Sequence, residues 1–398
     1  MQSKSCIRIL FFLISFLALT GASPRTFTNV IPLPIYATLP QEGDTFGFMP
    51  VFMVVEEPTQ RTQSIYAPSY SWNKNIRHTA TFRWFYYPDD ETRLHLIPSI
   101  SSRVNRGISI EIEKGLPREG QWTSEANIQA QRSIFFRFFG LGSRTLEADE
   151  TSFTRLYGQA MLRHGYSFTK HWNAGLTFAA QRILTESIGV SGFPKTHDRF
   201  VRQKGLAPST LLSPGLSFRF DSRAQKEYST RGTFIESSVQ HNAGLAGSSD
   251  FLRTSLEART LWEEIGQTLT GAARLSWTYA GGPRGDIPFH YLSTLGGAYR
   301  MRGFTENRFY DRGAWSLEIE QRFAMFQTNI YDVIADWRVD PFVAIGQVYD
   351  GSGDMFDHVQ IAAGLGFRAW VRPNVLGRVD TAIAGEGLKI YVELGYPF

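Results

Sequence analysis

The sequence is poor in cysteine and in long apolar segments. Its 398 residues contain a single cysteine, Cys6, near the start of the chain. This excludes a small secreted domain held by disulfides, since such a domain needs several cysteine pairs. Beyond residue 22, no segment approaches the roughly 20 apolar residues of a transmembrane helix. The sequence therefore predicts neither a disulfide scaffold nor a helical membrane protein.

Net charge and catalytic or metal-binding patterns are also sparse. The 41 basic residues nearly balance the 37 acidic ones, which argues against a nucleic-acid partner. The eight histidines lack metal-ligand spacing, so we expect no metal and no cofactor. His241, near Ser248 and Asp250, comes closest to a hydrolytic group, but it lies in a glycine-rich segment without a nucleophile elbow. We therefore expect that the protein is not an enzyme.

The N-terminus has the pattern of a secretory signal peptide. Lys4 and Arg8 precede an apolar segment at 9–19, and small residues follow it. This order predicts a signal peptide at 1–22 and export through the periplasm. Its removal leaves 39 basic and 37 acidic residues, a net charge of about +2. Cys6 precedes the apolar segment, so it is badly placed for lipid attachment.

Aromatic residues are abundant, and the end of the chain alternates strictly. Aromatics make up 14% of the sequence, although its mean hydropathy is slightly polar at -0.20. Apolar residues occupy every even position of 388–398, which is typical of a strand with one face in lipid and one in a polar lumen. The chain ends at Tyr396-Pro397-Phe398, which resembles the C-terminal signal by which the barrel-assembly machinery recognises outer-membrane barrels.

Seventeen strand-like segments can be counted from residue 45 onward. Bacterial barrels with both termini in the periplasm have an even number of strands, so we assume one misassignment between 90 and 115. The prediction is an all-β, transmembrane antiparallel β-barrel of about 16 strands over 45–398. Residues 23–44 are assigned to a short periplasmic segment, and the long segment 281–312 becomes an outer loop.

This loop carries the motif Arg302-Gly303-Phe304. In this context the chain resembles the surface-antigen barrel of the BamA/TamA superfamily of outer-membrane assembly and translocation factors. The sixth outer loop of that family folds into the lumen with an Arg-Gly-Phe or Arg-Gly-Tyr tip. Five strands follow the loop here, as in the family. Further matches are Asp221-Ser222-Arg223, Gly232-Thr233, the segment 364–368 and Gly377-Arg378-Val379-Asp380.

The resemblance implies a structural role for the loop tip. We expect Arg302 to enter the lumen and pair with Glu320 or Asp380, because a confined guanidinium needs carboxylate partners. Glu318 shares a strand face with Glu320 and is a third candidate partner. Gly303 would permit the tight turn, and Phe304 would pack against the barrel wall. The alternative is that Arg302 is a solvated loop residue.

Two departures from the family pattern limit the functional prediction. Many relatives carry an aspartate where this chain has Ala344, so we expect one lumen carboxylate fewer and a different attachment of the loop. Assembly factors also usually have periplasmic polypeptide-transport-associated (POTRA) domains, for which 23–44 leaves no room. Two functions stay open, insertion or translocation of proteins or lipids at the outer membrane and a passive or gated channel; an enzyme at the barrel rim ranks last. Expected partners are outer-membrane lipids, the barrel-assembly machinery and either client proteins or a separate periplasmic partner.

Overall fold

The computed structural model describes residues 26–57, 61–223, 229–266, 268–330, 333–371 and 375–394. Within them, 18 strands form one antiparallel sheet, and two short strands form a hairpin beside it. No helix among the described residues is long and apolar enough to cross a membrane. The sheet strands are β1 Thr26–Leu39, β2 Gly43–Glu56, β3 Arg61–Asn73, β4 Arg77–Tyr86, β5 Thr92–Ser101, β6 Arg106–Lys114, β7 Trp122–Phe138, β8 Thr151–Ser167, β9 Trp172–Glu186, β10 Ser209–Asp221, β11 Gly232–Ala246, β12 Phe251–Ile265, β13 Leu269–Gly281, β16 Gly313–Ile330, β17 Val333–Tyr349, β18 Gln360–Val371, β19 Val375–Ala384 and β20 Gly387–Leu394; the hairpin strands are β14 Ser293–Leu295 and β15 Phe309–Asp311.

Each sheet strand pairs with the next one along the chain, and β13 pairs with β16 across the intervening loop. Successive side chains of a strand point to opposite faces of the sheet. On β16, Ile319 and Phe323 are exposed on the outer face, whereas Glu318 and Glu320 are buried on the inner face. The alternation therefore produces an apolar outer wall around a lumen that is largely polar, as membrane barrels require. This confirms the predicted fold class.

The connections at the two ends of the barrel differ in length. One end, here called the outer rim, carries the long connections 139–150, 187–208 and 282–312. The other end, the inner rim, carries short turns such as 87–91 and 168–171. Outer-membrane barrels have long extracellular loops and short periplasmic turns. We therefore assign the outer rim to the cell exterior; β1 starts and β20 ends at the inner rim.

The strand number differs from the prediction. The described sheet has 18 strands rather than 16. Both segments between 90 and 115 are strands, which restores the count of seventeen, and β1 is the eighteenth. The assignment of 23–44 to a periplasmic segment is also wrong, since β1 lies within it and pairs with β2. Pro32 and Pro34 hid this strand in the sequence, because proline normally argues against a strand.

The first and last strands of the sheet, β1 and β20, lie side by side. Among the described residues, no ladder of paired residues joins them, although β1 pairs fully with β2 and β20 with β19. The boundary between β1 and β20, here called the seam, is therefore the weakest lateral contact of the described sheet. It lies next to the lumen loop, which is the candidate functional site.

Candidate functional site: a loop held in the barrel lumen

The long connection 282–312, here called the lumen loop, folds back into the barrel. Its strands β14 and β15 pair with each other, and the tip between them reaches the inner faces of β16 to β20. Met301, Arg302 and Phe304 are almost completely inaccessible to solvent at this tip. Because these side chains are large, the tip occupies the lumen rather than the outer surface.

Arg302 lies between carboxylates from two strands. Its Nη2 donates to Glu320 Oε2 at 2.8 Å, and its Nη1 donates to Asp380 Oδ1 at 3.3 Å. Glu318 Oε2 lies 3.9 Å from Nη2, and the guanidinium carbon lies 3.5 Å from the ring centre of Phe342. The structure thus brings Arg302 together with all three carboxylates named from the sequence. Phe342 adds a cation–π contact that the sequence did not indicate.

The Glu318 carboxylate also binds the loop backbone. Its Oε1 accepts a hydrogen bond from the Met301 N–H at 3.3 Å. Glu318 therefore contacts both the main chain and the charged end of the tip, while Glu320 makes the shorter contact to Arg302. The two glutamates share one face of β16 because two residues separate equivalent positions in a strand.

The carboxylates around Arg302 belong to a larger buried network on β16 to β19. Glu320 also accepts from Arg322 Nε at 2.8 Å, and Asp380 Oδ1 accepts from Arg368 Nη1 at 2.7 Å. Four arginines and four carboxylates share this part of the wall: Arg302, Arg322, Arg368, Arg378, Glu318, Glu320, Asp340 and Asp380. Their balanced charge offsets the cost of burying each ion.

Sequence reasoning missed half of this network. Arg322 and Asp340 were not singled out, and Arg368 and Arg378 were named only as parts of family matches, although each occupies the inner face of its strand. The alternation itself marks them as charged residues facing the lumen. Asp340 is of special interest, because it adds a carboxylate on β17, the strand for which Ala344 suggested that one was missing. Arg368 Nε lies 3.2 Å from Asp340 Oδ2.

Ala344 instead contributes to an apolar contact with the tip. It is fully buried in a cluster that includes Met301, Phe304 and Phe309. The rings of Phe304 and Phe309 pack edge to face, with their centres 5.2 Å apart. Phe304 therefore lies against the barrel wall, at the place where the missing aspartate leaves an apolar surface. The loop is held by packing at this point and by charge at Arg302.

Gly303 lies at the tightest point of the tip. Its φ of +115° belongs to the left-handed region that favours glycine. Its N–H donates to Tyr391 Oη at 2.9 Å, and the same hydroxyl donates to the Phe304 carbonyl at 2.7 Å. Tyr391 occupies an odd position of β20, on the face that points into the lumen, and it is the residue that binds the tip backbone.

Comparisons with known proteins agree with this architecture. The family model of the Omp85 superfamily domain matches residues 99–384, which is more than half of the chain. The chain belongs to the Omp85 superfamily. No curated protein matches it at a significant level. The match indicates a bacterial outer-membrane protein and agrees with a general role in insertion or translocation at that membrane.

Solved structures share the fold of this Omp85 barrel at low sequence identity. BamA from Haemophilus ducreyi, lacking POTRA domains 1–3, is 12% identical, with a TM-score of 0.57 over 91% of this chain and 74% of that one. CdiB from Escherichia coli is also 12% identical, with a TM-score of 0.51 over 95% of this chain. The chain spans 63% of the length of CdiB. At this identity the likeness concerns the fold.

The remaining candidate residues of the Omp85 barrel lie away from the lumen network. His241 Nε2 lies 3.7 Å from Asp250 Oδ2 on the exposed hairpin of β11 and β12, and Ser248 Oγ donates to the Ser249 carbonyl. This serine is not directed at the histidine. The predicted signal peptide at 1–22 and the terminal residues Tyr396 and Phe398 lie outside the described residues.

Two half-buried glutamates repel each other where the lumen loop approaches the turn between β1 and β2. Glu42 lies in that turn, and Glu306 follows the tip. Burial raises the pKa of each carboxyl to about 7, and repulsion from Glu393 on β20 adds to both shifts. Both carboxyls are therefore held mainly in their neutral form at mildly acidic pH.

We expect the Omp85 barrel to be more stable at pH 5 than at pH 8. Folding raises the pKa of these carboxyls above their ordinary value of 4.5. Their contribution to the free energy of unfolding is therefore fully present at a pH below 4.5 and is lost as the pH rises through about 7. Heating followed by gel mobility at each pH measures the difference. The double variant Glu42→Gln/Glu306→Gln should reduce it, whereas the exposed pair Glu119→Gln/Glu264→Gln should leave it unchanged. Equal pH dependence in all three proteins would contradict the assignment.

Proposed function

We propose that this protein inserts or translocates polypeptide strands at the outer membrane, with client strands engaging the seam between β1 and β20. The observation that carries the proposal is the composition of the β1 edge. Pro32 and Pro34 lie in the middle of β1, whose ladder to β2 runs from Thr26 to Leu39 without interruption. Because proline has no N–H to donate, the two missing donors face β20.

An edge without these donors cannot form a complete ladder with β20. Unpaired carbonyl and N–H groups at such an edge are the groups by which an extended peptide adds to a sheet. A strand of an unfolded client would find acceptors there without first displacing a complete set of barrel hydrogen bonds. The defect therefore favours exchange of strands at the seam over permanent closure.

The lumen loop contacts both strands of the seam. Tyr391 of β20 binds the backbone of Gly303 and Phe304, and Leu39 at the end of β1 packs against a cluster that contains Tyr391 and Ala298. A movement of the tip thus changes the contacts of both edge strands. We infer that the docked tip holds the two edge strands in position to receive a client strand, because both strands contact it, so release of the tip should impair client folding.

A passive channel is supported less well. The tip fills the lumen with large buried side chains, including Arg302 and Phe304, so solutes would pass only after the loop moves. A gated channel is the second candidate, favoured by the charged lumen wall once the loop is withdrawn. The proposed partners are outer-membrane lipids, unfolded client strands, the barrel-assembly machinery for the protein's own insertion and, for delivery of clients, a separate periplasmic protein. We propose no enzymatic activity.

The test uses the full chain reconstituted in liposomes. The folding rate of an unfolded outer-membrane barrel is measured with and without the protein, and conductance is recorded on the same preparation. The proposal predicts acceleration that is lost in Arg302→Ala. Absence of acceleration together with stable conductance steps would replace it with the channel function.

Restoring the missing donors of β1 is expected to close the seam. The double variant Pro32→Ala/Pro34→Ala adds two N–H groups opposite β20, and each new hydrogen bond contributes about 0.5–1.5 kcal/mol. We expect the temperature of barrel unfolding, followed by gel mobility, to rise and client folding in liposomes to slow.

The matched control is Pro50→Ala/Pro68→Ala. These prolines lie where the ladder between β2 and β3 is interrupted, so the control adds two donors away from the seam. Its client folding rate should equal that of the wild type. If both double variants slow client folding equally, the seam is not the site of exchange.

A further inference from the structure

A groove on the lipid-facing side of the barrel wall lies several strands away from the seam. It crosses β5 to β9 close to the outer rim and encloses about 500 Å³, a volume in the range of small-molecule sites. Its walls are largely apolar, and two of the residues, Ile100 and Ile108, are strongly exposed. A contiguous apolar surface is normal on a barrel wall in lipid, but a depression in that wall is a place where one lipid is held preferentially.

The depression results from small residues on the lipid-facing side. Gly158 of β8 lies between Ala130 of β7 and Arg182 of β9 in the sheet. A Cβ added to Gly158 would meet no atom within 4 Å. Leu156 and Leu184 stand at the side of this hollow. The floor is therefore open to an acyl chain lying along the strands.

Three arginines line the groove on the same face. Arg106 of β6 lies directly opposite Arg132 of β7, and Arg182 lies two strands further on. Like charges directly opposite each other destabilise a sheet. Glu186 pairs with Arg132 at 2.7 Å, and no carboxylate partner of Arg106 or Arg182 occurs among the described residues. The groove thus carries an excess of positive charge.

The position of these arginines explains how the barrel tolerates them. Arginine on the lipid-facing side of a barrel is costly near the bilayer centre and nearly neutral at the interface. Arg106 begins β6 at the outer rim, Arg132 lies directly opposite it, and Arg182 lies four residues from the outer-rim end of β9, so we place all three near the level of the headgroups. The neighbouring outer turns add the exposed cations Lys74 and Arg103. Guanidinium groups bind phosphate with paired, charge-assisted hydrogen bonds.

We propose that this groove binds a phosphorylated, multiply acylated glycolipid of the outer leaflet, of the lipid A class. One acyl chain would lie over Gly158, and the phosphates would bridge Arg106, Arg132 and Arg182. The arginines span four strands, roughly 14 Å at a strand spacing of about 4.8 Å. One phosphate cannot contact all three, so the geometry favours a lipid with two phosphates over a glycerophospholipid.

The test is native mass spectrometry of the full chain in detergent micelles, titrated with three lipids. These are diphosphoryl lipid A, phosphatidylglycerol and phosphatidylethanolamine. We expect lipid A to bind most tightly. Arg106→Gln/Arg182→Gln should weaken lipid A binding at least about tenfold, as expected for the loss of charge-assisted contacts to phosphate. Gly158→Leu should also weaken it, because the leucine side chain fills the hollow.

Two controls separate the groove from general effects. Lys170→Gln/Arg231→Gln removes two exposed cations from the inner rim, and Gly377→Leu adds a side chain to another outward-facing glycine, whose Cβ would meet only the Ala369 carbonyl oxygen at 3.9 Å. Both should bind lipid A as the wild type does. Phosphatidylglycerol binding as tight as that of lipid A would overturn the proposed lipid class. Equal lipid A binding by the groove variants and the controls would overturn the site.

Discussion

Arg302→Ala is expected to release the lumen loop while the barrel stays folded. The substitution leaves Glu320 and Asp380 buried beside an empty space, and breaking a buried ion pair by removing one partner costs about 3–5 kcal/mol. Much of that cost is relieved if the tip leaves the lumen and water enters. The strand ladders do not depend on the guanidinium, so the loss is confined to the loop.

Limited proteolysis measures this release. Cleavage within 282–312 should become much faster in Arg302→Ala, while the unheated protein keeps the gel mobility of a folded barrel. The matched control is Arg300→Ala, because Arg300 lies in the same loop but is partly exposed and 3.9 Å from its nearest carboxylate on Glu257. Cleavage at the wild-type rate in Arg302→Ala would show that the network does not hold the loop.

Gly303→Ala is expected to weaken the same tip by a different mechanism. A side chain at a φ of +115° is strained, and the added Cβ would lie 3.0 Å from the Cβ atoms of both Ala362 and Ala384. Strain and crowding together should cost about 2–4 kcal/mol. The displaced backbone would also lose its hydrogen bond to Tyr391. We expect faster loop cleavage and slower client folding.

Three further variants identify the cause. Gly285→Ala lies in the same loop, with open space around its added Cβ and no positive φ, and should be neutral. Gly120 has a φ of +76° with open space around its added Cβ. The loss of barrel stability in Gly120→Ala therefore measures the cost of backbone strain without crowding. The double variant Gly303→Ala/Ala384→Gly relieves part of the crowding and should recover part of the loop protection. Protection as low as in Gly303→Ala alone would assign the whole effect to backbone strain.

Most of the wall could be predicted from the sequence, and one strand could not. Alternation over 388–394 and across β16 follows directly from the two-residue repeat of a strand in contact with lipid on one face. β1 was missed because Pro32 and Pro34 argue against a strand. A strand tolerates these prolines only if their backbone nitrogens face a neighbour that needs no donor there. Which neighbour they face is decided when the sheet assembles.

Part of the lumen site could likewise be predicted from the sequence, and part could not. Arg302 and its partners Glu318, Glu320 and Asp380 were selected because of the tip motif and the strand faces that the alternation predicts. The contact with Tyr391 was not predicted, because the distance between β20 and the loop tip depends on how the barrel curves. Gly303 and Tyr391 are 88 residues apart in the sequence, and this separation does not determine their distance in space.

The sequence by itself determined which face of each strand meets lipid, because the bilayer demands a two-residue repeat wherever one side of a sheet is apolar. It also determined the long loop and its charged tip. Only the tertiary structure decided that β1 closes toward β20 without two of its donors and that Tyr391 binds the tip backbone. Strand neighbours and register bring these residues together, and such relations arise only when the sheet curves into a barrel.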